Sequence, residues 1–494
     1  MGVVAKQSVF NTILLYAGVV IGYLNVTIFF PRVIGAEGYG LTRVIISIVF
    51  ISQHFAMLGT PSMVMRYFPR FKDKGGGGLF TYGFLVLGLG FMIVLAGLLF
   101  LKEPIIELKR ENSPLLESYY FLAIPMLLAM ALYSYFTNIC RVFLQTVLPI
   151  FTYEFMFKVA TALLLGLSWY FGWTLHTFLL SWASLYALNF MTLAIYLLWK
   201  KKLRFEWDIR INKAFVKESM DFSLFSMMAG ASNSIISNID ILMVGLLLVS
   251  DSLEMAGIYA IMVYLGNAAL MPTRGLSTIA SPLAADYAEQ KDKEKTAKLY
   301  ERTSRNQMIA VGFLSIGVFV NLPNLLDFMQ IEYNLGMPVF VFIGLARLVQ
   351  SSSGINGLII NYSEFYRYTT YFIAGLAVVS IALNFLLIPI YALTGAALAS
   401  FVSITGFELL KWIFVWRKLD LQPFHRKHIV VLALGIVLLA IGYFLPRLDN
   451  IWLDLLYRSS IVSLIGAVFI LNFDISSDFR VLLIRGLRIL RIRR

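Results

Sequence analysis

Fourteen separate runs of apolar residues, each 18 to 30 residues long, dominate the 494-residue chain. They lie at 8–30, 39–68, 79–101, 118–140, 149–171, 174–199, 222–249, 257–283, 306–329, 337–360, 369–389, 393–416, 429–446 and 454–472. A hydrocarbon core about 30 Å thick takes roughly 20 apolar residues per helix, so each run can cross a membrane. A lipid-immersed backbone must satisfy its own hydrogen bonds, so each run is expected to be helical. The expected fold class is an all-α integral membrane protein with about 14 transmembrane helices. Composition agrees, with 59% hydrophobic residues, 14% charged and a mean hydropathy of +0.78. A soluble domain carries about 25% charged residues. A cytosolic enzyme, a disordered chain and a disulfide-stapled secreted domain are excluded. Cys140 is the only cysteine, so no intrachain disulfide forms and a metal–thiolate site is not expected. The first run exceeds a signal peptide's apolar core and lacks a small-residue cleavage pattern, so it reads as a span. Gly59-Thr60-Pro61 interrupts the second run and predicts a kink.

Lysine and arginine are distributed unequally between alternate connections. One set holds 29 of the 41 basic residues, the opposite set holds 5, and the rest fall within spans. That asymmetry predicts a multi-pass protein with both termini in the cytoplasm. It also accounts for the net charge of +13 without nucleic acid, because the cations sit in short topogenic loops. The tail 473–494 alternates apolar residues with Arg485, Arg488, Arg491, Arg493 and Arg494. It reads either as an amphipathic helix on anionic lipid or as a plain stop-transfer tail.

A shift of 219 residues superposes Gly38 on Gly257 and Lys72-Asp73-Lys74 on Lys291-Asp292-Lys293. Six spans return a chain to its starting side, so a second copy repeats in the same orientation. The expected organisation is an N-terminal lobe (1–199), a cytoplasmic linker (200–221), a pseudo-symmetric C-terminal lobe of six helices (222–416), spans 13 and 14 (429–472) and a basic tail (473–494). Spans 13 and 14 have no counterpart in the repeat and read as an appendage.

Ionisable groups deep in a bilayer are expensive and mark function by default. Lys158, Asp240 and Arg347 fall near span centres, with Arg274 and Arg43 displaced to opposite sides. Arg66, Glu408 and Lys411 lie near cytoplasmic ends, where snorkelling suffices. His54 and Gln53 precede the Gly59 break. Four cations against one obvious acid favour an anionic ligand, for which arginine offers a planar fork and lysine a point charge. Arg347, Lys158, Arg274 and Arg43 are therefore the expected substrate-binding residues. Each has a structural alternative as an ion pair or carbonyl cap. Asp240 and His54 are candidates for ion coupling or for a counter-ion, and equally for packing or an interior hydrogen bond. No phosphate-binding loop and no metal-ligand spacing occurs, so no catalytic residue, cofactor or metal is expected.

Four segments carry a family resemblance: Phe30-Pro31-Arg32-Val33-Ile34-Gly35-Ala36-Glu37-Gly38-Tyr39-Gly40; Leu58-Gly59-Thr60-Pro61 with Arg66-Tyr67; Asn238-Ile239-Asp240 with Gly257-Ile258-Tyr259; and Asn384-Phe385-Leu386-Leu387-Ile388-Pro389 with Gly395-Ala396-Ala397-Leu398-Ala399. Together they resemble the polysaccharide-transporter branch of the multidrug/oligosaccharidyl-lipid/polysaccharide exporter superfamily. The resemblance implies a flippase, not an enzyme. It would move undecaprenyl-diphosphate-linked oligosaccharide across the bacterial inner membrane by alternating access between two lobes around a cationic cavity. The partners it implies are that substrate, membrane lipid, H+ or Na+ where coupling exists, and other glycan-assembly membrane proteins. The alternatives are an ion-coupled multidrug exporter, a peptidoglycan-precursor flippase and, from a different class, a membrane-embedded glycan-modifying enzyme.

Overall fold

The computed structural model describes residues 3–71, 76–107, 114–206, 213–248, 250–329, 331–473, 475–481 and 484. Among them every regular element is helical and no strand occurs. The chain opens with α1 (Val3–Leu24), which runs through a π-helical turn, Asn25–Phe29, into α2 (Phe30–Met57). There follow α3 (Thr60–Phe71), α4 (Gly77–Glu107), α5 (Pro114–Tyr119), α6 (Ala123–Val142) and a short α7 (Val147–Ile150). A second π-helical segment, Phe151–Met156, leads into α8 (Phe157–Phe171), then α9 (Leu175–Trp199), α10 (Lys213–Leu247) and α11 (Ser252–Ala269). The remainder comprises α12 (Met271–Glu289), α13 (Lys293–Val320), α14 (Leu322–Met329), α15 (Tyr333–Ser352), α16 (Asn356–Asn361), α17 (Tyr366–Leu419), α18 (Arg426–Phe444) and α19 (Ile451–Asn472).

By length and composition ten helical stretches can cross a membrane, or twelve when the bent pairs α11–α12 (42°) and α13–α14 (57°) each count as one. The sequence reading counts fourteen. The difference lies in Ile13–Phe71 and Tyr366–Leu419, which run 59 and 54 residues. At 1.5 Å per residue the second is about 80 Å long, far beyond one crossing. Each is broken internally, at Gly35 (φ 73°, ψ 172°) and at Ala392 (φ 50°, ψ −129°). The kink expected at Gly59 is present: Leu58 (φ 46°) and Gly59 (φ 72°) are both left-handed and separate α2 from α3. A Cβ on Gly59 would lie 2.0 Å from the Ser223 carbonyl oxygen, so the break lets α3 start flush against α10.

Residues Met1–Ala260 and Ile261–Arg494 form two compact units. In the first, Tyr67, Phe80, Tyr135, Cys140 and Leu193 pack α3, α4, α6 and α9 together. The Tyr135 hydroxyl donates to the Phe80 carbonyl at 2.6 Å. The start of α11 crosses α2 on small residues. A Cβ on Gly40 would meet the Leu253 carbonyl oxygen at 1.6 Å, and one on Gly257 would meet that of Ala36 at 2.3 Å. The repeat's Gly257 thus serves backbone contact. The other landmark, Lys72-Asp73-Lys74, lies outside the described residues, as do 207–212 of the linker and Arg485 onward in the tail.

In the second unit α18 and α19 pack firmly on α13 and α14. Leu438 and Val462 pack against Ile316 and Val320 of α13. Arg458 of α19 bonds Asp454 at 2.7 Å and the carbonyls of Gly442 and Leu445 at 3.2 and 2.9 Å. Asp454 also accepts from Asn324 of α14 and from the Leu448 N–H. Farther on, Asp478 accepts from Arg302 and Asn306 of α13, and Ile475 is buried beside it. One side of these two helices is therefore welded to α13 and α14 by polar as well as apolar contact.

Candidate functional site

In the first unit α2 carries Tyr39 and Arg43 one turn apart. Arg43 is half-buried, and its enclosed Nε has no hydrogen-bond partner among the described residues. Two further tyrosines of this unit, Tyr153 of the second π-helical segment and the buried Tyr186 of α9, pack on one ring, Phe157. The rings are held by stacking. Tyr153 lies parallel to Phe157 at 5.7 Å, and Tyr186 meets Phe157 edge-on at 4.7 Å. In the same unit the Tyr39 hydroxyl, the Asn25 Oδ1 and the Asn189 Nδ2 are likewise enclosed and without partners among the described residues. Each orphaned polar group costs about 1–3 kcal/mol, so the enclosed Nε of Arg43 marks a place where a ligand or water completes the bonding.

Both π-helical turns belong to this region, and such turns recur at functional sites. Asn25 of the first donates to the Lys158 carbonyl at 2.8 Å. Gly18 lies flush on the second, where its Cβ would stand 1.9 Å from the Glu154 carbonyl oxygen. Lys158 is no bare cation: its Nζ pairs with Glu154 at 2.8 Å on the same helical face. Glu154 is the acid that the depth argument overlooks, although its i,i+4 spacing to Lys158 is visible in the sequence.

The other candidates are dispersed. His54 is half-buried on α2, its Nδ1 2.6 Å from where a Gly230 Cβ would be. Asp240 is buried on the same α10 and accepts from the Tyr259 hydroxyl at 3.1 Å. Ten residues separate Gly230 from Asp240, about 15 Å along a helix, so the two coupling candidates stand at different levels. In the second unit Arg347 is half-buried and donates to Gln350 at 3.0 Å, while Arg274 is exposed. Gln53, beside His54, is spent on the Met130 carbonyl at 3.1 Å.

Two sequence expectations need correction. Glu408 and Lys411 do not snorkel. They are 3% and 8% exposed, pair at 2.7 Å, and Glu408 also accepts from Asn356. The tally of one obvious acid omits Glu154, Glu408 and Asp454, each of which pairs with a cation on its own helix. Among the described residues no group of His, Cys, Asp and Glu is arranged to hold a metal ion.

The family described as polysaccharide biosynthesis protein matches residues 4–288, more than half of the chain. No curated protein matches the sequence. Several solved structures share the fold. The lipid II flippase MurJ in its inward closed conformation aligns with a TM-score of 0.72 at 14% identity, over 95% of this chain and 100% of that one. An inward-facing multidrug resistance MATE family transporter of the MOP superfamily gives 0.63 at 11% identity, over 81% and 94%. A MOP superfamily transporter from Pyrococcus furiosus gives 0.56 at 11%, over 84% and 96%. At these identities the likeness concerns the fold. The family match identifies this multi-pass α-helical chain as a member of the polysaccharide biosynthesis protein family.

Proposed function

We propose that the protein is a flippase. It carries undecaprenyl-diphosphate-linked oligosaccharide, the repeat unit of a surface polysaccharide, from the cytoplasmic to the outer leaflet of a bacterial inner membrane. It works by alternating access and makes or breaks no bond. The observation that carries this reading is Arg43, half-buried one turn from Tyr39 on α2, with its enclosed Nε unsatisfied among the described residues. A guanidinium with an unsatisfied N–H suits a phosphate oxygen. Family membership and the fold shared with a lipid II flippase support the same class of cargo.

Arg43 takes the phosphate in the first unit. Lys158 assists only when Glu154 releases it, and Arg347 and Arg274 add positive charge in the second unit. A drug-cation exporter would need acid free for its cargo, and Glu154 is spent on Lys158. Coupling to H+ or Na+, if present, runs through Asp240 or His54. Binding must stay moderate and must differ between states, since a ligand shifts a conformational equilibrium only by its differential affinity.

Depletion of the protein in its native host tests the reading. Lipid-linked glycan intermediates accumulating on the cytoplasmic leaflet bear it out. Blocked wall synthesis or drug sensitivity alone overturns it. Arg43→Ala at normal protein level abolishes surface glycan, and full complementation by that variant removes Arg43 from the site.

A further inference from the structure

The Lys291-Asp292-Lys293 motif, a landmark of the repeat, has no part in the site above. It forms the turn between α12 and α13. The Lys291 N–H bonds the Ala288 carbonyl at 3.2 Å and the Asp292 N–H bonds that of Tyr287 at 2.9 Å. These are the paired bonds of a Schellman cap. Its left-handed position, φ 53°, is filled by Lys291, where glycine would be the low-cost residue. A lysine kept in a strained position invites a reason in its side chain.

Its two neighbours are occupied. Lys293 pairs with Asp420 at 2.7 Å, and Asp292 caps α13 and pairs with Lys295 at 2.8 Å. Among the described residues the Lys291 side chain has no hydrogen bond or ion pair. It lines an open groove of about 530 Å³ together with Tyr287, Thr296, Tyr362, Ser363 and Glu364. The size falls within the range of roughly 300–1,000 Å³ found for small-molecule sites. Ala284, Ile359 and Leu421 line it from below and belong to a buried core cluster, so the floor is rigid. The Tyr362 hydroxyl shares a 2.7 Å hydrogen bond with Ser281, which fixes that ring.

The chemistry of the lining selects the ligand. Glu364, like Lys291, has no side-chain partner among the described residues. The lining carries two ammonium groups, Lys291 and Lys293, and two carboxylates, Asp292 and Glu364, so a phosphate gains no net attraction. Aromatic faces accept the C–H face of a sugar ring, and carboxylate, ammonium and hydroxyl groups satisfy its hydroxyls. We infer that this groove binds the saccharide portion of the lipid-linked substrate, apart from the phosphate. The inference rests on the flippase reading for its cargo and on the groove alone for its chemistry.

The test uses the purified full-length protein in detergent. The probe is the oligosaccharide released by mild acid from the native host's lipid-linked pool, followed by saturation-transfer NMR. Saturable transfer to sugar-ring protons is expected, and inorganic pyrophosphate does not compete. Tyr362→Ala and Glu364→Gln each weaken binding about ten-fold, the equivalent of one good hydrogen bond or stacked face. Lys291→Gly also weakens binding while leaving thermal stability equal or higher, because it relieves the left-handed strain. Absence of saturable transfer, displacement by pyrophosphate, or wild-type binding by all three variants overturns the inference. Depletion separates the two readings. Lipid-linked glycan accumulating without oligosaccharide binding sinks the groove alone, and binding without accumulation sinks the flippase reading alone.

Discussion

Asp454 and Arg458 form the most enclosed ion pair among the described residues, with side chains 0% and 8% exposed. Removing one partner of such a pair leaves an uncompensated charge and costs about 3–5 kcal/mol. Asp454→Ala leaves the guanidinium only the carbonyls of Val320, Gly442 and Leu445, so it belongs at the upper end. Arg458→Met leaves the carboxylate two neutral donors, Asn324 and the Leu448 N–H, and belongs near 3 kcal/mol by the same scale. The double variant carries neither charge. What remains are neutral groups that have lost a partner, the Asn324 amide nitrogen, the Leu448 N–H and the carbonyls, each of which costs less than a bare buried charge. The double variant is therefore more stable than Asp454→Ala alone, with a coupling of at least about 3 kcal/mol in a double-mutant cycle. Unfolding in dodecyl maltoside titrated with SDS, followed by Trp452 fluorescence, measures it; that indole stacks edge-on with Phe328 at 5.8 Å. Additive single effects, or singles below about 1 kcal/mol as for an exposed pair, refute the enclosed network.

Two further outcomes follow from packing and charge. Gly40→Ala forces apart the α2–α11 crossing and costs at least the ~1–3 kcal/mol of an overpacked core. It is read as maleimide reactivity of buried Cys140, with Gly78→Ala, which meets nothing within 4 Å, as the control; unchanged reactivity contradicts the close approach. Asp478 is held below the usual carboxylate range, first by its hydrogen bond to Arg302, against which burial works. A lowered native pKa means that docking of 475–481 is stabilised above the ordinary carboxylate range and loses that help as pH falls through the lowered value. The effect is small because Arg302 is 60% exposed. Limited proteolysis near the C-terminus from pH 7 to 3 should show it, and Asp478→Asn should flatten the profile.

Much of the fold was legible because lipid removes choices. Once water is absent, a long apolar run has only the helix available, so the all-α class and the helix breaks at Gly59 and near 390–392 follow from residue order alone. The ion pairs were legible in principle too. Glu154–Lys158, Glu408–Lys411 and Asp454–Arg458 sit at i,i+3 or i,i+4, a spacing that depth counting ignored. How α18 and α19 attach was not legible. Their attachment depends on the carbonyls of Gly442 and Leu445 and on Asn324, which no periodicity announces.

Sequence alone determined the membrane class, the helical backbone, the family pattern and the inventory of charges within spans. Tertiary structure decided which charges are spent. Lys158 and Lys411 are neutralised by acids three or four residues away, whereas Arg43 keeps an enclosed, unsatisfied nitrogen. It also placed Lys291 beside Tyr362 and Glu364, some seventy residues away. The physical reason is that hydrophobicity is a property of each residue in turn. Desolvation and pairing belong to neighbours in space, and the chain fixes those only by folding.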